Sequence, residues 1–511
     1  MNRASVFRRL AVPCLVLAIA PAMLGAEAKP STNGNLVFNP ETYTVQQSTL
    51  NGRTIRYRAY EGIVYVQNPV DTRYQTLNIF VPVEYFESKT IGPFNAQTAP
   101  IFLPNTVGGY MPGPAGWPGP GFDGKPNAAL VALSRGLVVA APGARGRTLT
   151  DAQGRYTGKA PAAIVDLKAA VRYLRANVGR FPGDTERIIS NGTSAGGALS
   201  ALLGATGNAP AYAPYLKALG AAEARDDVFA VSAYCPITNL NHADAAYEWL
   251  FSGFNEYQGM RFPPTGGGPV PPPGAQGPMD PSRLPPPTQR TMDAAQIAHA
   301  AALRKLFPAY LNGLGLKASN GRRLTLNPRG EGSFKSWIKS LIMASAQKAL
   351  DAGGDLSAFP YLKVIDHKVV GLDFPGYLKA VGRMKATSAF DGLDLGTGEN
   401  SLFGNETINA RHFTAYGQRH GTKGGKPAEA ELIRLMNPMD FIGKPGAKVA
   451  THWRIRHGTA DRDTSLAVPA ILAAALAQHG QEVDFALPWN RGHGGDYDLD
   501  ELFTWVERNC R

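Results

Sequence analysis

Runs that are apolar at nearly every position alternate along this chain with segments that are apolar only every third or fourth residue. Thr54–Val66 and Thr76–Tyr85 read as strands. Ala99–Leu103 and Gly136–Ala141 are apolar almost throughout, as strands buried on both faces of a parallel sheet are. Ala160–Val178 has helical spacing, with Ile164, Leu167, Val171 and Leu174 on one face. Ile188 and Ile189 lead another strand into Gly192-Thr193-Ser194-Ala195-Gly196, an Ala/Leu-rich helix follows, and Val228–Tyr234 is again an apolar strand. The rhythm resumes late, with strand Val449–Ile455, helix Ala467–Ala477, strand Val483–Pro488 and a closing helix Leu499–Arg508. Strands alternating with helices predict an α/β fold, a mostly parallel sheet with helices on both faces.

Between Asn241 and Gly446 the alternation stops. Helical patterns such as Asp293–Phe307 and Phe334–Ala349 flank Pro263–Pro287, whose Pro and Gly content reads as a mobile loop. The expected organisation is a core in two parts, 29–240 and 447–511, with an inserted lid domain, 241–446, over the C-terminal ends of the strands. No internal repeat is visible.

The first residues stand apart from this pattern. Arg3, Arg8 and Arg9 precede an apolar stretch, Leu10–Leu24, and Ala26-Glu27-Ala28 supplies an A-x-A site. This reads as a cleaved signal peptide, 1–28, and the stretch falls short of the ~20 apolar residues that span a bilayer. The mature chain is therefore expected to be secreted or periplasmic, with no membrane partner. The formal net charge is +12, but the basic residues are scattered and no nucleic-acid motif appears, so no nucleic-acid partner is expected. Of the three cysteines, Cys14 lies in the signal. Export permits a bridge between Cys235 and Cys510, a question that spacing leaves open, and neither sits in a C-x-x-C or Cys/His cluster that would suggest zinc.

Chemistry enters at the G-x-S-x-G turn. A serine between a strand and a helix, flanked by glycines that accept close backbone approach, has its hydroxyl forced outward above the sheet edge. Ser194 is the candidate nucleophile, and the Ala195 N–H at the helix start suits a developing oxyanion. A base and an orienting acid are expected on loops beyond the last two strands, in the order Ser, Asp, His. Of nine histidines, His493 in Arg491-Gly492-His493-Gly494-Gly495 follows the last strand. His452 lies in a strand, His479 near a helix end, His457 at the start of the acid loop, and His242, His299, His367, His412 and His420 in the insert. His457-Gly458-Thr459-Ala460-Asp461-Arg462-Asp463 offers Asp461 as the acid, with Asp463 as the alternative. Gly108 and Gly109, after strand Ala99–Leu103, are candidates for the second oxyanion donor, and sequence does not choose between them. The mechanism requires no metal and no organic cofactor.

These segments together resemble bacterial tannases: the elbow 192–197, Val107-Gly108-Gly109-Tyr110, His457–Asp463 and Gly492-His493-Gly494-Gly495-Asp496. Within the insert, Lys385-Ala386-Thr387-Ser388-Ala389-Phe390-Asp391 and Glu399, just before Leu402-Phe403-Gly404, also resemble that family. The resemblance implies an α/β-hydrolase fold with a large lid, a serine esterase acting on galloyl esters of polyphenols, and contacts from Lys385, Glu399 and Asp463 to the galloyl hydroxyls. The triad motifs alone also fit a feruloyl or other cinnamoyl esterase, or a general carboxylesterase. Pro263–Pro287 has no match to the family.

Overall fold

In a computed structural model, residues 35–121, 124–258 and 288–511 are described. The signal segment and Pro263–Pro287 lie outside the described residues. Nine strands form one sheet: β1 (Thr44–Leu50), β2 (Arg53–Val64), β3 (Thr76–Pro82), β4 (Pro100–Pro104), β5 (Val138–Pro142), β6 (Asp184–Thr193), β7 (Ala230–Tyr234), β12 (His452–Arg456) and β13 (Glu482–Ala486). The numbers between belong to two small pairs, β8 (Glu256–Gln258) with β9 (Gln289–Thr291) and β10 (Leu362–Ile365) with β11 (Lys368–Leu372). The order across the sheet is β1-β2-β3-β5-β4-β6-β7-β12-β13. From β5 to β13 every pairing is parallel, while β1, β2 and β3 join antiparallel.

The apolar runs form the centre of this sheet. Ile101, Phe102, Val138, Val139, Ile188 and Ile189 are all fully buried. The helix Ala162–Ala176 is buried on more than its apolar face: Asp166 pairs with Arg145 at 2.8 Å and Lys168 with Asp226 at 2.8 Å, so charges without solvent are matched. Strand β1, TVQQSTL, lacks an apolar run because it is an exposed edge strand paired only to β2. Among the described residues no helix is long and apolar enough to cross a membrane.

Strand register sets where function can sit. Thr193 pairs with Tyr234, Tyr234 with Arg456, and Arg456 with Ala486. The next residues, Ser194, Cys235, His457 and Leu487, therefore leave the sheet at one level. Between β7 and β12 the chain departs from the sheet and builds a layer of helices, including Leu240–Phe251, Ala294–Gly313 and Ser333–Asp351, together with the two short strand pairs.

Candidate active site

Ser194 occupies the turn between β6 and the helix Ala195–Ala205 with φ 59° and ψ −121°, a strained backbone that only dense local packing maintains. The packing is visible at Gly196, where a Cβ would lie 2.6 Å from both Val107 O and Asn105 Oδ1. At Gly192 an added Cβ would collide with Gly196 itself. Asn105 ties the loop after β4 onto the elbow, its Nδ2 donating to Asn191 O, Gly196 O and Ser200 Oγ, each at 3.1 Å. Gly108 and Gly109 follow in that loop, exposed, with open space where side chains would be. Arg147 Nε donates to Gly109 O at 2.9 Å and fixes the far side of the loop.

The loops beyond β12 and β13 fold as one unit. Thr459 N donates to Pro488 O at 3.0 Å and Ala460 N to Arg491 O at 2.9 Å. Within it His493 Nδ1 lies 2.9 Å from Asp461 Oδ2, and Asp461 Oδ1 accepts from Asp463 N at 2.9 Å. Asp461, not Asp463, thus holds the imidazole. The unit docks on the elbow: an added Cβ at Gly495 would strike Thr193 Oγ1, and Asn191 Nδ2 donates to Asp496 Oδ1 at 3.3 Å.

Electrostatics follow from this packing. Burial disfavours a charged His493, but the Asp461 carboxylate and its hydrogen bond outweigh burial and, with the Cys235 sulfur, hold the imidazole well above its usual value. Burial also opposes charge on Asp461, yet the neighbouring histidines and the bonds from His493 and Asp463 N keep its carboxyl near 2. His457 lies fully buried behind Asp461, and burial pushes its pKa down. Its ring makes no hydrogen bond among the described residues, and its Nδ1 lies 3.6 Å from Asp461 Oδ2.

The insert brings further charge to the same histidine. Lys385 Nζ is 3.1 Å from Asp463 Oδ1, and that oxygen is 4.0 Å from His493 Nε2. Burial opposes the Lys385 charge, while Asp463 and Glu399 raise its pKa overall. Burial raises the Glu399 carboxyl, against the pull of Lys385. Lys385 is therefore paired with Asp463 and feels the Glu399 carboxyl as well, a cluster of charge built around one ammonium.

Sequence reasoning missed what positions that cluster. The helix Leu240–Phe251 presents Asp244, Tyr247 and Glu248 at i, i+3 and i+4, on one face. Asp244 accepts from Phe390 N at 2.8 Å and Asp391 N at 2.9 Å. Tyr247 Oη accepts from Lys385 N at 3.1 Å and donates to Arg462 O at 2.9 Å, joining the Lys385 loop to the acid loop. Glu248 forms a two-pronged pair with Arg383 and accepts from Thr387 Oγ1 at 2.7 Å. These residues sit on a buried helix whose apolar periodicity gives no sign of them.

Cys235 was also missed. It and Cys510 are both free, buried thiols. His493 stands 258 positions from Cys235 in sequence, but the turn after β7 places the Cys235 Sγ 3.9 Å from His493 Nε2.

The BD-FAE family model matches residues 150–255. The structure is similar to tannase from Fusobacterium nucleatum, at 50% identity over 94% of this chain and 100% of that one, TM-score 0.88. It is also similar to tannin acyl hydrolase from Lactobacillus plantarum, at 46% identity over 93% and 99%, TM-score 0.85. A tannin acyl hydrolase solved in complex with ethyl gallate matches with the same identity and coverage, TM-score 0.85. The chain spans only 13% of the length of a curated relative, Esterase LipC of Mycobacterium tuberculosis, at 52% identity over 52 residues.

Proposed function

The chain belongs to the tannase family, carboxylic ester hydrolases with an α/β-hydrolase fold and a cap domain, and from that premise we propose that it is an exported serine esterase that releases gallic acid from galloyl esters. Ser194 Oγ attacks the ester carbonyl while His493 Nε2 takes its proton, and Asp461 holds the imidazole by Nδ1 and stabilises the imidazolium. The Ala195 N–H and the Gly108–Gly109 loop receive the oxyanion. His493 returns the proton to the departing alcohol as the ester C–O bond breaks. Water, deprotonated by His493, then cleaves the galloyl-enzyme. Residues 1–28 carry the export signal and 241–446 form the lid.

Lys385, Glu399 and Asp463 recognise the acyl group. Adjacent phenolic hydroxyls each donate one hydrogen bond and accept others, which two carboxyl groups and an ammonium can match. The observation that carries this reading is the meeting of both sets on one ring: Asp461 at 2.9 Å from His493 Nδ1, and the Lys385-paired Asp463 at 4.0 Å from Nε2. Relatives solved with ethyl gallate and with 3,4-dihydroxybenzoate support a phenolic acyl group.

The test is methyl gallate hydrolysis by the mature protein and by Ser194→Ala. The variant is expected to lose about 10⁴–10⁶-fold in kcat with its fold intact. Equal rates would remove Ser194 from the mechanism.

A further inference from the structure

We propose that Cys235 and His493 form an inhibitory site for a thiophilic divalent cation of the zinc class. Cys235 Sγ lies 3.9 Å from His493 Nε2, and Cys235, His493 and Asp461 bring ligand atoms within 4.8 Å of one another. Sulfur, imidazole nitrogen and carboxylate oxygen are the ligands zinc prefers. Bond lengths of about 2.3 Å to sulfur and 2.0–2.1 Å to nitrogen at a tetrahedral angle separate those two atoms by ~3.5 Å. The observed gap closes to that value with a shift of a few tenths of an ångström.

The surroundings suit a metal as well as the pair does. Asp461 holds the opposite ring nitrogen, Nδ1, at 2.9 Å, the carboxylate–histidine support that orients metal-bound imidazoles and raises their basicity. Cys235 has only a weak contact of its own, 3.4 Å to Gly494 O, to give up. The His493 side chain is 26% exposed, which opens the pair to a cation from solvent, while the Cys235 thiol beside it is buried.

Binding proceeds with balanced charge and protons. The proton of the Cys235 thiol and any proton on His493 Nε2 are released to solvent, Asp461 keeps the Nδ1 proton in its hydrogen bond, and one Sγ–metal and one Nε2–metal bond form. Nε2 is the atom that deprotonates Ser194 in the proposed mechanism, so its capture stops hydrolysis. The effect on rate rests on that mechanism, and the binding does not. Because both ligands must be deprotonated, the cation binds more weakly as pH falls.

The test titrates Zn²⁺ against the mature protein, Cys235→Ala and Cys510→Ala, reading bound metal by equilibrium dialysis and methyl gallate hydrolysis in parallel. The wild type and Cys510→Ala are expected to bind one Zn²⁺ and lose activity that EDTA restores. Cys235→Ala should require more than the ~10–100-fold increase in Zn²⁺ that losing an outer-sphere partner costs. Co²⁺ adds a readout independent of activity: a near-ultraviolet thiolate-to-cobalt charge-transfer band in wild type, absent in Cys235→Ala. Cys235→Ser, nearly equal in volume, serves if the alanine variant fails to fold. Equal inhibition of wild type and both Cys235 variants, or a wild type without the cobalt band, overturns the proposal. A protein inactive on gallate esters that still shows the band retains the site and overturns the esterase reading instead.

Discussion

The sheet and the segment between β7 and β12 solve the problem of burial in different ways. At the sheet centre, strands such as Ile101–Leu103 and Val138–Ala141 bury apolar surface, and register alone delivers Ser194 and the Asp461 and His493 loops to one edge. In the insert, a buried polar scaffold holds the Lys385 loop. Asp244, Glu248, Arg383, Thr387 and Asp391 are all buried and satisfy one another or backbone N–H groups. Burial lifts the Asp244 carboxyl to about 7, even against its two backbone donors. An apolar core tolerates small adjustment, whereas a buried polar network fails when one member is removed. The sheet edge that carries Ser194 thus rests on the robust region and the Lys385 loop on the brittle one.

Asp461→Asn should be the most damaging change to the sheet edge, lowering kcat for methyl gallate by about 10⁴-fold with little change in unfolding midpoint, since the amide favours the wrong His493 tautomer. Activity within tenfold of wild type would detach the acid from the mechanism. In the insert, Glu248→Ala leaves the buried Arg383 guanidinium without its counter-charge, bonded only to Lys385 O and Thr387 Oγ1. It should cost about 3–5 kcal/mol in urea unfolding. An unchanged midpoint would show that the network is not what holds the Lys385 loop.

The pH dependence separates the regions more finely. His493 must be neutral to act as a base and its pKa lies above 6.5, so kcat/KM should fall about tenfold per pH unit below that raised value. Replacing Asp461 removes the charge that raises it and should move this limb to lower pH. The same shift makes His493 a stabilising group below its unfolded pKa, a contribution lost as pH rises through the folded value. Smallest is Tyr247→Phe, which removes the hydroxyl joining Lys385 N to Arg462 O. A loss of about 1 kcal/mol, near fivefold in kcat/KM for methyl gallate, is expected. No loss would mean the two loops are positioned independently.

Much of the sheet is legible in sequence because buried parallel strands need apolar residues at every position. Ile188–Ile189 and Val228–Tyr234 each overlap a buried strand, while Val483–Pro488 overlaps β13, a partly exposed edge strand paired only with β12. Strand β1 was not legible, since an exposed edge strand carries no such demand. The elbow, Asp461 and His493 could be read because turn glycines and strand ends mark them. The H-G-x-x-D spacing favoured Asp461 over Asp463 as the partner of the histidine, and His493 Nδ1 lies 2.9 Å from Asp461 Oδ2. The insert's helix Leu240–Phe251 and the approach of Cys235 to His493 were invisible. Each depends on contacts between residues more than 130 positions apart, a relation that local periodicity does not encode.

The central claim is that sheet-edge groups perform the chemistry while the insert reads the acyl hydroxyls. Its most direct test is kcat/KM of wild type and Lys385→Ala on methyl gallate and methyl benzoate. The account predicts a fall of about 10²-fold or more on gallate, the cost of truncating one member of a desolvated charge pair, with benzoate hydrolysis held within a few-fold. Equal losses on both esters, or no loss on gallate, would contradict it.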